Sequence, residues 1–161
     1  MKNFHMIDDS NVKKAIKEMS NHFQSNAELF FEREVRDNLK NKTIYCDESI
    51  DFLDKFIKET VIYESGDKKF LYKILIGTYL GQYVISKFKG NWVYDPANCA
   101  SPIDFFVRYT KGSDLYFRPF ASSINRIEYG KKTSLKSEIN IIRNMIKGSN
   151  EINSRLFKKR Y

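Results

Sequence analysis

Cysteine and histidine are scarce in this sequence, and so are the spacings that would bind a metal. The 161 residues include two cysteines, Cys46 and Cys99, and two histidines, His5 and His22. The cysteines form neither a metal-ligand spacing nor a disulfide framework, and no H-x-x-x-H or H-E-x-x-H run occurs. We therefore expect packed thiols in a reducing environment, no metal site and no cofactor.

The sequence also lacks the short motifs of common catalytic sites. It contains no G-x-S-x-G, no Walker-type lysine loop and no G-x-G-x-x-G. Three acidic pairs occur, at residues 8–9, at residues 47–48, and at residues 51 and 54. Helix capping and a polar helix face explain these pairs without any role in acid–base catalysis. We predict no catalytic residue and no enzyme activity.

No long, uncharged hydrophobic run is present. The most apolar stretch, residues 70–88, contains Lys73, Gln82 and Lys87, and charges near the centre of a membrane span are costly. The first residues, MKNFHMIDDSNVKK, lack the positive and then apolar regions of a secretory signal. These features predict a buried helix in a cytoplasmic protein that does not contact a membrane.

Aromatic residues, in contrast, are abundant. Thirteen Phe and ten Tyr bring the aromatic fraction to 15%, within a hydrophobic fraction of 42%. That content argues against disorder although 30% of the residues are charged. A chain of this length can bury a core as one unit, and neither a repeat nor a flexible linker interrupts it. We predict a single domain over residues 1–161.

Positive charge is concentrated in the last part of the chain. The net charge is +8, and residues 126–161 hold ten Lys and Arg against three Glu, which is a net charge of +7. Such a basic segment attracts nucleic acid or an acidic protein surface, or is simply a solvated tail. Lys136, Arg143 and Lys147 recur at spacings of seven and four, so they share one face of a predicted helix and form a candidate contact face. The predicted basic surface also includes Arg126, Lys131 and Lys132.

Hydrophobic periodicity predicts helices in the first half of the chain. Apolar residues at spacings of four, three and four between residues 12 and 23 indicate an amphipathic helix that Ser10 caps. The next stretch, residues 27–40, is either a second helix or a continuation that bends near Asn26. Both alternatives place aromatic residues of this stretch in the core.

Two further helices are expected over residues 47–64 and 67–89. The first carries one apolar stripe and two acidic residues at its N-terminal end. Ser65 and Gly66 end it, Asp67 caps the second helix, and Gly90 stops that helix at its C-terminal end. Because the connection is short, we expect the two helices to pack antiparallel as a helical hairpin.

Beyond Gly90 the pattern changes to short aromatic and β-branched segments. NWVYD, DFFVRYT and LYFRPF are separated by turn residues and predict a small antiparallel sheet. The sequence KGSD joins the last two as a hairpin, with Pro119 at its open end or on an edge strand, and SINRIEYG is a candidate further strand. Ser134 then begins a closing helix that Gly148 ends. The predicted fold class is α+β, with N-terminal helices, a small antiparallel sheet and a closing C-terminal helix.

The aromatic hairpin supplies candidate partner-binding residues. Its Phe and Tyr residues cannot all enter one small core, so we expect some of them on the outer face of the sheet. Tyrosine and arginine are common anchors of protein interfaces. The candidates are Arg108, Tyr109, Tyr116 and Arg118. The alternative is that the aromatic residues pack on both sides of the sheet.

One segment resembles a known group of proteins. The matching residues are Gly77, Tyr79, Leu80, Gly81, Val84, Gly90 and Trp92. They resemble small bacterial α+β domains in which a G-x-Y-L-G-x-x-[VI] helix is followed, after a glycine turn, by a tryptophan on a strand. The resemblance covers roughly residues 49–120. It implies a structural role for Gly77, Tyr79, Gly81, Gly90 and Trp92, and it carries over no catalytic residue. Most such domains are uncharacterised, and some look like immunity partners of secreted bacterial toxins.

Two functional hypotheses follow. The first is a cytoplasmic immunity protein that binds and neutralises a cognate toxin, or another protein with an acidic patch. The second is a nucleic-acid-binding accessory protein that uses residues 126–161. For the helix of residues 67–89, we expect Gly77 and Gly81 to share one face. Either helix 47–64 or the sheet that starts at Trp92 would approach this face closely.

Overall fold

The computed structural model describes residues 9–40, 42–94, 105–109, 115–130 and 134–158. Within these ranges the chain forms α1 (Asp9–Phe30), α2 (Asp47–Glu59), α3 (Gly66–Phe88), β1 (Gly90–Val93), β2 (Phe106–Tyr109), β3 (Tyr116–Phe117), α4 (Pro119–Tyr129) and α5 (Leu135–Lys158). Helices precede and follow one small antiparallel sheet, which confirms the predicted α+β class. In the parts of the chain that are described, every helix is too short or too polar to cross a membrane.

The first helix does not break near Asn26. It begins at Asp9, so Ser10 lies inside it, and it continues to Phe30 before a π-helical turn, Phe31–Val35, and a 3₁₀ turn. Buried side chains recur every four residues from Phe23 to Val35. In an α-helix this spacing drifts by about 40° per step. The wider π-turn reverses that drift, which keeps Val35 on the core side.

Helices α2 and α3 lie antiparallel, as expected from their short connection. The start of α2 contacts the second half of α3, where the Tyr79 hydroxyl donates to Ser49 Oγ at 2.8 Å and the Tyr83 hydroxyl donates to Asp47. The predicted cap at Asp67 is wrong by two residues. Ser65 is the N-cap, and Gly66, with a φ of +54°, begins α3. Glycine tolerates that backbone conformation at little steric cost.

The sheet has the order β1-β2-β3, and both pairs are antiparallel. Trp92 and Phe117 are both register partners of Val107, and these three side chains are buried. Gly90 is not the left-handed residue that ends α3. Lys89 takes that conformation, with a φ of +58°, and Gly90 is the first residue of β1. The predicted turns over residues 95–104 and 111–114 lie outside the described residues.

The predicted strand SINRIEYG is wrong, because this segment is helix α4. Pro119 occupies the first helical turn, where its missing N–H and its restricted φ are both compatible with a helix. Phe120, Ser123 and Ile127 are buried at spacings of three and four. Ser123 donates to the Lys73 carbonyl at 2.9 Å, so a polar residue occupies a core position of α4 and hides its helical pattern.

Gly77 and Gly81 allow two neighbours to approach α3 closely. A Cβ atom at Gly81 would lie 2.1 Å from the Trp92 ring, which confirms the expected contact with the sheet. A Cβ atom at Gly77 would lie 2.5 Å from the Phe120 ring and 2.9 Å from its Cα. The second neighbour is therefore α4, which the sequence prediction did not include, and not helix 47–64.

The closing helix α5 begins as predicted and ends later. Ser134 Oγ accepts from the Ser137 amide at 3.1 Å, which is the expected N-terminal cap. Gly148 does not stop the helix, which continues to Lys158. A glycine inside a helix costs only about 1 kcal/mol. Leu135, Ile139 and Ile146 are buried and join the core cluster or line its edge.

Candidate functional site

Arginine and tyrosine side chains lie together on the outer face of the sheet. Arg108, Tyr116 and Arg118 are exposed, while their neighbours Val107 and Phe117 are buried. Arg108 is the register partner of Tyr116, and its guanidinium carbon lies 5.9 Å from the centroid of the Tyr116 ring. Phe106 extends this arginine–tyrosine pair, because its ring centroid lies 5.0 Å from that of Tyr116. The outer face therefore presents an arginine–aromatic cluster.

The fourth candidate of the hairpin, Tyr109, does not share that face. Its backbone N–H donates to the Leu115 carbonyl at 3.1 Å, and its half-buried side chain lines a small pocket. This pocket, of about 30 Å³, lies between the sheet, α3 and the Ile142–Ile146 part of α5, and its lining is almost entirely apolar. The structure thus separates Tyr109 from Arg108 and Arg118. Tyr116 lines the pocket together with Tyr109 and also contacts Arg108 on the outer face of the sheet.

The rim of this pocket exposes large apolar side chains. Tyr116 is 51% exposed and Met145 is 52% exposed. Ile141, which is not among the residues that line the pocket, is 53% exposed. Met145 and Ile141 are one turn apart on α5 and belong to neither its buried stripe nor its basic face. Sequence reasoning missed them, although the four-residue spacing beside a complete core stripe is a usable signal. We call Arg108, Tyr116, Arg118, Ile141 and Met145 the sheet–helix surface.

Two basic residues of α5, Lys136 and Arg143, extend toward α2. Lys136 Nζ lies 2.8 Å from Asp51, and Arg143 lies 3.1 Å from Asp47. The third member of the predicted contact face, Lys147, is exposed. The predicted face therefore exists, but two of its three cations form ion pairs with a neighbouring helix.

Arg126 was expected on the basic surface, and that prediction is wrong. Its side chain is buried and bonds to Asp54 through Nε at 2.7 Å. The Asp54 carboxylate also accepts from the backbone N–H groups of Leu135 and Lys136, at 3.1 and 3.2 Å. Asp54 therefore neutralises Arg126 and caps α5 from another helix. Lys131 and Lys132 lie outside the described residues.

Two tyrosines hold the start of α2, and their surroundings indicate structural roles. Burial raises the pKa of Tyr79 to about 12, and burial also raises the pKa of Tyr83. The Tyr83 hydroxyl in turn keeps the pKa of Asp47 below its usual value, with a further contribution from Arg143. Both hydroxyls are neutral donors at physiological pH, since a raised phenol pKa opposes ionisation.

Comparison with known proteins does not assign this surface to a family. No protein-family model matches the chain, and neither a curated protein nor a solved structure is significantly similar to it. Among the residues with described side chains, no three His, Cys, Asp or Glu residues are arranged to hold a metal ion. The resemblance to immunity-like domains stays a prediction, and the geometry of the surfaces carries the functional argument.

Proposed function

We propose that this chain is a non-enzymatic, cytoplasmic immunity protein that neutralises a cognate bacterial toxin by direct binding through the sheet–helix surface. One observation carries the proposal: the Arg108–Tyr116 pair lies beside an apolar pocket that Met145 lines with an exposed side chain. Solvent-exposed clusters of this composition are typical of protein interfaces.

The chemistry of the surface indicates what a partner presents. Interface hot spots combine aromatic and arginine side chains around a pocket that excludes water. The pocket between β2, β3 and α5 is small and apolar, so it fits part of one aliphatic or aromatic side chain. Arg108 and Arg118 lie on the outer face of the sheet together with Tyr116, which also lines the pocket. Their positive charge favours carboxylates on the partner. We infer a partner with an apolar anchor and an acidic rim.

The choice of a toxin as partner rests on the sequence resemblance of residues 77–92 to immunity-like domains. The binding of a protein partner rests on the surface itself and does not need that resemblance. Experiment can separate these two claims. If an acidic protein other than a toxin binds this surface, the claim of protein binding is supported and the claim of a toxin partner is not.

Nucleic-acid binding through residues 126–161 is the alternative function. Arg126, Lys136 and Arg143 each form an ion pair with an aspartate of α2, and cations already paired inside the protein release fewer counterions from a phosphate backbone. This arrangement favours the protein partner. The alternative requires affinity for generic DNA or RNA that falls by several log units for each log unit of added salt.

The proposal is tested by co-expression with a toxin-like product encoded next to this chain, followed by co-purification and calorimetry. We expect a complex, and we expect Tyr116→Ala and Arg108→Ala each to weaken it by about tenfold or more. Tyr63→Ala is the matched control, because Tyr63 is 79% exposed on the turn between α2 and α3. No association at micromolar concentration would overturn the immunity function. Equal losses in Tyr63→Ala and Tyr116→Ala would remove the sheet–helix surface from it.

A further inference from the structure

A second and larger cleft lies against α2. It is an open depression of about 560 Å³ between the solvent-exposed side of α2 and the π-helical and 3₁₀ turns that follow α1. None of the residues of the sheet–helix surface lines it. A depression of this size accommodates a long side chain together with part of the backbone that carries it.

The floor of the cleft is aromatic and held in place. Phe52 and Phe56 are stacked, with ring centroids 5.7 Å apart and an interplanar angle of 20°. Both rings are half-buried, so part of their surface remains open to the cleft. Phe56 is fixed from below by edge contacts with Phe30 and Tyr72, at 6.4 and 5.5 Å. The floor therefore does not have to reorganise to accept a planar group.

The walls of the cleft carry more negative than positive charge. Four of the lining side chains are carboxylates and two are cations, a local balance of −2 on a chain with a net charge of +8. The carboxylates are Glu34, Glu48, Asp51 and Glu59, and the cations are Arg33 and Lys55.

Two of these carboxylates are positioned by contacts outside the cleft. Glu48 accepts from the Lys40 amide at 3.2 Å, and Asp51 is paired with Lys136 of α5. Glu59 lies 3.9 Å from Lys55 at the limit of an ion pair. Glu34 and Glu59 are therefore the carboxylates best able to turn toward a ligand.

We propose that this cleft binds an arginine side chain presented by a protein partner. A guanidinium group is planar and weakly hydrated, so it stacks on an aromatic ring and donates in pairs to carboxylates at the same time. Phe52 supplies the ring, and Glu34 and Glu59 supply carboxylates at the rim. A lysine ammonium group lacks the planar stacking surface, and phosphate groups are repelled by the four carboxylates.

The proposal is tested by NMR titration of the ¹⁵N-labelled full chain. The probe is acetyl-Gly-Arg-Gly-amide, and the reference peptide carries citrulline, which is neutral and nearly isosteric, in place of arginine. We expect saturable shifts confined to the two turns after α1 and to α2, with the arginine peptide binding about tenfold or more tightly than the citrulline peptide. Free L-arginine binding more tightly than the peptide would overturn the assignment to a protein segment.

Variants separate the cleft from general electrostatics. The double variant Glu34→Gln with Glu59→Gln is expected to remove the preference for arginine over citrulline, and Phe52→Leu is expected to weaken binding of both peptides. The matched control is Glu18→Gln with Glu138→Gln, which changes the net charge equally away from the cleft. Shifts scattered over the surface, or an equal loss in the control, would overturn the proposal. Tyr116→Ala is expected to leave peptide binding unchanged, so this inference and the proposed function can fail separately.

Discussion

Replacing Gly81 by alanine places a methyl group where the Trp92 indole already lies. An ideal Cβ atom at this position would be 2.1 Å from Trp92 Cη2 and 2.2 Å from Cζ2, well inside van der Waals contact. The indole cannot move away freely. Phe23 packs on the indole with a centroid distance of 4.6 Å, and Phe120 stacks on it at 5.8 Å. In its hydrogen-bonded orientation, the Gln82 amide oxygen accepts from Trp92 Nε1 at 3.0 Å.

The magnitude follows from two opposing effects. Alanine in place of glycine inside a helix stabilises by about 1 kcal/mol, whereas forcing an extra carbon into a packed core costs about 1–3 kcal/mol and more when the neighbours cannot relax. Because the contact is far shorter than van der Waals distance and the indole is held on three sides, we take the upper end of that cost. The expected net loss for Gly81→Ala is about 2 kcal/mol, or about 4–8 °C in Tm for a chain of this size.

Urea unfolding followed by circular dichroism measures the loss, and the emission of Trp92, the only tryptophan, reports on the site itself. Gly148→Ala is the matched control, because among the described residues no atom beyond its chain neighbours and its own helix backbone lies within 4 Å of its Cβ position. We expect it to be neutral or stabilising by up to about 1 kcal/mol. Trp92→Leu should reduce the cost of Gly81→Ala in a double-mutant cycle. If Gly81→Ala is as stable as the wild type, the close-packing explanation of this glycine is refuted.

Two further predictions concern the aspartates of α2. Asp54→Asn is expected to lower the free energy of unfolding by about 3 kcal/mol, because it leaves Arg126 buried without its charged partner. Urea unfolding measures this loss. The control is Asp51→Asn, which removes an exposed ion pair and should cost less than about 1 kcal/mol. Tyr83→Phe is expected to raise the pKa of Asp47, which carboxyl NMR titration measures, since the Tyr83 hydroxyl is the main cause of its depression below 3.8. A depressed native pKa stabilises the fold above the unfolded value and loses that effect as pH falls through the native value, so the stability difference between wild type and Tyr83→Phe should narrow below about pH 4. An unchanged Asp47 titration would contradict this assignment.

The helical part of the fold was predictable because helix faces are set by local spacing. Ile50, Leu53 and Ile57 share one stripe in the sequence, and all three are buried in the structure. A second local rule, the preference of serine for the N-cap of a helix, placed Ser134 at the start of α5. Periodicity does not say which element covers each face, so α4 was missed as the neighbour of Gly77.

The errors in the fold arose where residue type and position conflict. The segment after Phe117 is rich in β-branched and aromatic residues, and its core position at Ser123 is polar. Only the tertiary contact from Ser123 to the Lys73 carbonyl makes that serine suitable for burial. Pro119 was the available signal, because proline is as typical of the first turn of a helix as of an edge strand.

The candidate surfaces show the same division between local and distant information. Arg108 and Tyr116 share a face because side chains alternate along paired strands, so their proximity follows from the hairpin prediction. The ion pairs of α5 were not predictable, since Arg143 and Asp47 are 96 residues apart in the sequence. No spacing rule relates residues at that separation, and only the docking of α5 on α2 brings them together.

The distribution of charge provides the sharpest distinction between the functions considered. Helix α2 carries aspartates at spacings of four and three that pair with cations of α4 and α5, so three of the ten cations of residues 126–161 act within the fold. The two proposed binding surfaces have opposite signs, positive at Arg108 and Arg118 and negative in the α2 cleft. A protein that contacts both must present both signs, and its association rate should then depend only weakly on ionic strength. A nucleic acid bound by residues 126–161 presents one sign only, so its affinity must fall steeply with added salt.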